Sequence, residues 1–194
     1  MDHRHIGFAL CGSFCTHARA LETLEVVKAR FGDVTGILSD ASAGWDTRFG
    51  TAQALRERIE TVTGHGVIDS VNKAEPIGPK ALLDALVICP CTGNTLGKLA
   101  AGIADTPVTM AAKSHLRNGW PVVIAVSTND GLASSAKAIG ALLDKKNVYF
   151  VPLRQDDPAG KPTSLVADFS LVPDAVSAAL EGRQLQPVLL GPVK

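Results

Sequence analysis

The chain lacks a charge excess of either sign: across 194 residues, Lys plus Arg number 19 and Asp plus Glu number 19. That balance removes the overall field that would draw it to nucleic acid or to an anionic membrane surface, and leaves small molecules and proteins as expected partners. No apolar run approaches the ~20 residues a membrane span needs. The opening Met1-Asp2-His3-Arg4-His5 leads at once into a strand pattern rather than a signal peptide, so a cytoplasmic protein is expected. Internal repeats and low-complexity tracts are absent. Cysteine is scarce, and Cys11, Cys15, Cys89 and Cys91 lack the usual zinc-knuckle spacing. Reduced thiols packed near strand ends are the favoured reading and no metal is expected, with a four-thiolate site or a reactive Cys15 as alternatives.

What is present is apolar content of 46%, enough for one α/β domain with a full core and too little length for two ordinary ones. A single domain over 1–194 is expected, with a C-terminal tail from about residue 184. Strand and helix patterns alternate throughout, which predicts a doubly wound, mostly parallel sheet with helices on both faces. Strands are predicted at Ile6 to Leu10, Val34 to Leu38, Ala85 to Cys89, Val122 to Val126 and, as the last, Val148 to Val151. Val67 to Asp69 reads as a short strand, and Glu75 to Pro79 as a loop without regular structure because of its prolines. Helices are predicted over His17 to Phe31, Thr51 to Val62, Asn94 to Ala104, from Thr106-Pro107 to Arg117, Leu132 to Leu143 and Pro173 to Leu180. Ser39 to Gly44 and Arg154 to Pro162 read as polar loops.

Ligands of open parallel sheets sit beyond the carboxyl ends of the strands, where the chain order reverses. In this chain those ends carry Gly12-Ser13, Ser39, Thr92-Gly93-Asn94-Thr95, Ser127 to Asn129 and Arg154 to Asp157, all small or polar. The Thr92 to Thr95 turn places hydroxyls and free backbone N–H groups at the positive end of a helix dipole, a setting that suits phosphate. Gly12-Ser13 forms a second turn of the same kind. Together they outline a nucleotide or flavin crevice, against the plainer reading of ordinary loops carrying helix caps.

Gly12-Ser13, Pro90-Cys91-Thr92-Gly93-Asn94-Thr95 with Lys98 to Asp105 behind it, and Asn129 resemble the flavoprotein family of the cysteine decarboxylases, which act on pantothenoylcysteine and on peptide C-termini. Within that family the chain is similar to the dipicolinate synthase B subunits. That likeness lies in Gly12 to Thr16, Thr47-Arg48-Phe49-Gly50, Lys73 to Pro79, Met110 to Lys113, Ser127 to Asp130 and Gln155 to Pro158, and spans residue 4 to about 190. The catalytic histidine of the decarboxylases is missing: Glu75-Pro76 stands in its place and no histidine occurs between His65 and His115. Asn129 is also followed by Asp130-Gly131-Leu132 rather than by the Met and Trp of those enzymes. Thioether-cysteine decarboxylation is therefore not expected.

The resemblance implies a Rossmann-like flavoprotein fold and an oxidoreductase subunit that helps to convert a dihydro- or hydroxy-tetrahydrodipicolinate precursor to dipicolinate during sporulation. It implies work with the A subunit of dipicolinate synthase, which has its own dinucleotide-binding domain and would bring NAD(P), and self-association into a homo-oligomer. FMN would set its phosphate against Ser13 and the Thr92 to Thr95 turn, with Gly12, Ser39 and Ser127 around it and the ring system over Asn129. Whether FMN, a nicotinamide nucleotide or phosphate alone occupies the crevice stays open. A dicarboxylate substrate calls for paired cations, for which Arg48, Lys73, Lys113 and Lys161 are the candidates. Glu75, a carboxylate in a Pro-flanked loop, is the candidate base, and His17 in the first turn of its helix is a second proton-handling candidate. Two other classes remain beside the oxidoreductase: a non-catalytic structural or regulatory partner of the A subunit, keeping only a phosphate site, and a flavin-modifying transferase on the same fold.

Overall fold

The computed structural model describes residues 3–191. Apolar runs with both faces buried build the centre of the sheet: β1 (Arg4–Leu10), β3 (Ala85–Cys91) and β4 (Val122–Thr128) are buried over nearly their whole lengths, the pattern of parallel strands covered on both sides. With β2 (Gly32–Leu38), β5 (Val148–Phe150), β6 (Leu153–Arg154) and β7 (Leu165–Ala167) they form one seven-stranded sheet ordered β2-β1-β3-β4-β7-β6, with β5 paired to β4 off that path. The β1–β2, β1–β3, β3–β4 and β4–β5 pairings are parallel. The expected doubly wound, mostly parallel sheet is the observed fold.

The helices follow their caps. α1 (His17–Phe31) buries Ala20, Leu24, Val27 and Phe31 against the sheet. α2 (Asp40–Gly44) occupies the segment expected to be a loop, because the Ser39 hydroxyl accepts a hydrogen bond from the Ser42 amide and so starts a turn. α3 (Ala52–Thr63) is capped by Thr51. α4 (Val71–Ala74) is capped by Ser70 and runs into a 3-10 turn over Glu75–Ile77, where irregular chain was expected. The short strand expected at Val67 to Asp69 reduces to a single parallel bridge between Ile68 and Ile37. α5 (Gly93–Ala101) stops three residues before its expected end, with Gly102 in the left-handed conformation. α6 (Pro107–Arg117) opens on a capping box made by Thr106 and Thr109.

Two differences bear on the site. α7 (Ala136–Leu143) begins four residues later than expected, because the Asp130 carboxylate gathers the hydroxyls of Thr128, Ser134 and Ser135 into a turn. The strand ending at Phe150 is also not the last. β7 pairs antiparallel with Ser127 and Thr128 at the end of β4, and β6 pairs with β7. The charged loop that joins β6 to β7 is thereby folded back over the strand ends. α8 (Val172–Leu180) closes the fold, and residues 192–194 of the expected tail lie outside the described residues.

His115 on α6 is 1% exposed, and its Nε2 is a buried nitrogen without a hydrogen-bond partner among the described residues. Burial pushes its pKa down from 6.5 to about 4, against the opposing pull of the Pro121 carbonyl and the Asp84 charge. The folded-state value lies below the unfolded one, so the unfolded chain binds more protons between them and stability falls as pH drops through that window. Denaturant titrations at pH 7 and pH 4.5 should therefore differ by about 2 kcal/mol from this group. His115→Leu should flatten that part of the slope, and an unchanged slope in the variant would contradict the assignment.

Candidate functional site

The crevice is a cavity of about 440 Å3 over the carboxyl ends of β1, β3 and β4. Gly12 and Ser13 follow β1, Thr92 follows β3, and Ser127, Thr128 and Asn129 end β4; all line it. The Ser13 and Ser127 hydroxyls are 2.8 Å apart and hydrogen-bonded, which ties the loop after β1 to the end of β4 above the intervening strand. The β6–β7 hairpin supplies the far wall through Asp156, Lys161, Ser164, Leu165 and Val166. Its position is fixed by the Thr163 hydroxyl donating to the Asn129 carbonyl at 2.7 Å.

The charge balance in the crevice is positive. Arg19, Arg48 and Lys161 line it, and Asp156 is the carboxylate among them. Lys161 lies 3.6 Å from Asp156. Burial raises the Asp156 pKa, but the Ser164 hydroxyl and Lys161 outweigh it and hold the carboxyl below its ordinary value. Arg19 and Arg48 have no carboxylate partner among the described residues. Their guanidinium groups lie over aromatic rings instead, Arg19 at 5.0 Å from the Phe169 centroid and Arg48 at 4.8 Å from that of Phe49. Two guanidinium groups without acidic partners among the described residues leave this cavity with positive charge that the chain does not neutralise.

Of the residues singled out in the sequence, Gly12, Ser13, Thr92, Ser127, Asn129, Arg48 and Lys161 meet on this cavity. The rest do not. Ser39 is occupied as the cap of α2. Thr95 is buried and donates to the Cys11 sulfur at 3.3 Å, while Gly93 and exposed Asn94 belong to the first turn of α5 outside the crevice lining. The turn therefore reaches the crevice through Thr92 rather than as a four-residue cradle. Its helix end already has a carboxylate beside it: a Cβ on Gly93 would stand 2.7 Å from Asp130 Oδ1 and 2.4 Å from Ser135 Oγ. Of the residues expected to form the anion cradle, Gly12, Ser13 and Thr92 line the crevice, and its cations lie on α1, on the loop before α3 and on the hairpin.

Glu75 is exposed and outside the crevice lining, and Lys73 is paired with Asp69 at 2.8 Å. Lys113 lies on a separate cleft beside Leu99, Ile103 and Leu116. His17 is buried, its Nε2 donates to the Cys11 carbonyl at 2.8 Å, and it lines a neighbouring cavity. Burial lowers its pKa although the bond to Cys11 opposes the shift. Cys11, Cys89 and Cys91 are packed in the core, where burial raises all three thiol pKa values, that of Cys11 to about 11. Exposed Cys15 lines the crevice.

Sequence reasoning missed Arg19 and Phe14. Arg19 stands one helical turn after Thr16, on the face of α1 that looks back to the Gly12 loop, and that spacing was the available signal.

A family model described as Flavoprotein matches residues 1–156. The chain belongs to the flavoprotein family. Within the flavoproteins it is 42% identical over 187 residues to the B subunit of dipicolinate synthase from Bacillus subtilis (strain 168), covering 96% of this chain and 94% of that protein. It also matches the crystal structure of the dipicolinate synthase B subunit from Bacillus halodurans C with a TM-score of 0.90 and 42% identity over 100% of both chains. The FMN-dependent cysteine decarboxylase SpaF shares the fold at a TM-score of 0.62, with 23% identity over 92% of this chain and 95% of that one. This flavoprotein is thus a homologue of the dipicolinate synthase B subunits. Among its described residues no helix is long and apolar enough to cross a membrane.

Two glycines separate fold from ligand. A Cβ on Gly12 would make only ordinary contacts, at 3.5 Å from Ala41 Cβ and 3.6 Å from the Phe14 ring, so nothing in the chain asks for glycine there. Gly93→Ala should cost about 1–3 kcal/mol in denaturant unfolding through overpacking, whereas Gly12→Ala should leave the midpoint nearly unchanged. The reverse order of effects would contradict this division.

Proposed function

We propose that this flavoprotein is the B-type subunit of a dipicolinate synthase and that its crevice holds FMN. One observation carries the reading: a chain homologous to a dipicolinate synthase B subunit over nearly its whole length keeps, at the reversal point of its sheet, a cavity with two guanidinium groups that lack acidic partners among the described residues. A cavity of about 440 Å3 lies within the 300–1,000 Å3 usual for cofactor and ligand sites. SpaF, of the same fold, is named FMN-dependent.

The residues fit a phosphate-bearing flavin. Arg19, with the Ser13 and Thr92 hydroxyls, offers charge-assisted hydrogen bonds to a phosphate at the N-terminal side of α1. The bare backbone at Gly12 leaves room for close approach, and Asn129 at the end of β4 borders the ring. Arg48 and Lys161, on the opposite rim, are placed to receive carboxylates of a dihydro- or hydroxy-tetrahydrodipicolinate precursor. Bound flavin supplies a two-electron acceptor for the aromatisation. The residues of the chain bind and orient: the cations neutralise the substrate, and the hairpin from β6 to β7 limits water at the strand ends. In this reading the protein works in the cytoplasm of a sporulating cell as an oligomer, together with an A subunit that brings NAD(P).

The purified chain should be yellow with flavin absorbance, and Gly12→Ala should lose the colour while remaining folded. Mixed with the A subunit, NAD(P) and precursor, it should produce the ultraviolet absorbance of pyridine dicarboxylate at a rate proportional to flavin content. A colourless chain that supports full turnover would overturn the flavin assignment. Full-rate turnover by the A subunit on its own would leave the chain as a structural partner.

A further inference from the structure

Beside the crevice lies a second cavity of about 210 Å3, between the start of α1, the end of α2 and the start of α3. Phe14, Leu21, Trp45, Phe49 and Leu55 wall it. Phe14 and Phe49 also line the crevice, so the two spaces share a wall. The Phe14 and Trp45 ring centroids are 6.4 Å apart with planes inclined by 30°. Trp45 is 63% exposed and Phe49 54% exposed, large apolar surface that the described residues leave uncovered at a cavity mouth. At 210 Å3 the space is below the 300–1,000 Å3 of drug-sized ligands and suits a single ring rather than a tricyclic flavin.

Two polar groups give it direction. Arg48, next to Phe49 in sequence and over its ring, stands on the crevice side of the shared wall without a carboxylate partner among the described residues. His17 donates its Nε2 hydrogen to the Cys11 carbonyl, and burial keeps the ring neutral, so Nδ1 carries a lone pair. The cavity therefore offers aromatic faces and one acceptor at its lining, with one guanidinium beyond Phe49 on the crevice side of the shared wall.

We infer that this aromatic cavity is the substrate subsite, taking a planar six-membered ring between Phe14, Trp45 and Phe49 with a ring carboxylate directed past Phe49 to the Arg48 guanidinium on the crevice side. The inference rests on the functional reading above and sets the substrate ring against the Phe14 and Phe49 wall that borders the flavin crevice. Stacking on aromatic faces selects a flat ring, and the Arg48 fork selects a carboxylate on its edge. The lone pair at His17 Nδ1 accepts a hydrogen bond from an N–H or O–H of a partly reduced ring, and an aromatic product lacks that donor.

The probe is pyridine-2,6-dicarboxylate, titrated into the purified full chain while tryptophan fluorescence is followed. Saturable quenching is expected. It should persist in Trp120→Phe, which removes the tryptophan in the turn between α6 and β4, and vanish in Trp45→Phe. Calorimetry should find Arg48→Gln at least tenfold weaker, and aliphatic glutarate should not compete. Absence of saturable quenching, equal affinity in Arg48→Gln, or complete blockage by FMN at the same cavity would each overturn the subsite. The two readings fail separately: dipicolinate formation in the two-subunit mixture but no dicarboxylate binding at Trp45 sinks this inference alone, whereas binding without turnover sinks the functional reading.

Discussion

The crevice exists because the chain changes its direction of winding between β1 and β3. From β1 it crosses to β2 on one side, and from β3 it proceeds to β4 on the other, giving the order β2-β1-β3-β4. The loops leaving β1 and β3 therefore diverge, and a gap opens above the strands they leave. The hydrogen bond between Ser13 and Ser127 crosses that gap, and the antiparallel β6–β7 hairpin walls its outer side. Gly12, Ser13, Thr92, Ser127 and Asn129 reach the crevice through this one topological feature.

Polar residues at the rim divide by what already satisfies them. Ser39, Thr95 and Asp130 are engaged with the chain itself, as a helix cap, a bond to the Cys11 sulfur and a hydroxyl-gathering turn. Arg19 and Arg48 have no acidic partner among the described residues, and Gly12 has space for a side chain that it lacks. Groups whose needs the fold leaves unmet are those that point to a ligand, because a cation without a counterion keeps its full capacity to bind an anion. The same distinction separates Arg48, facing a cavity, from Lys73, paired with Asp69.

The sheet was legible because its strands are apolar on both faces and alternate with helical periods, as in Ile6 to Leu10 and Val122 to Val126. The β6 and β7 strands were not, since each has only two or three residues and is held by pairing with the end of β4 rather than by its own pattern. Gly12, Ser13, Thr92, Ser127 and Asn129 were found by their position just after strands. Thr95 and Gly93 share that position yet turn inward or pack against Asp130, and local sequence does not distinguish a hydroxyl that caps a helix from one that faces a ligand. Glu75 was singled out by its place in a proline-flanked segment, but α4 and the turn after it carry it outside the crevice lining. Arg19 sits on the wet face of an amphipathic helix, where only its spacing from Thr16 sets it apart from any other cation.

The central claim is that the crevice recognises the phosphate of a flavin, with Arg19 as its cation. Comparing the affinities of the purified chain for FMN and for riboflavin isolates that phosphate. The account predicts that FMN binds about 100-fold tighter, ~2.7 kcal/mol, as expected for hydrogen bonds to a charged group, and that Arg19→Gln removes most of the difference. Equal affinities for the two flavins, or a difference untouched by Arg19→Gln, would contradict it.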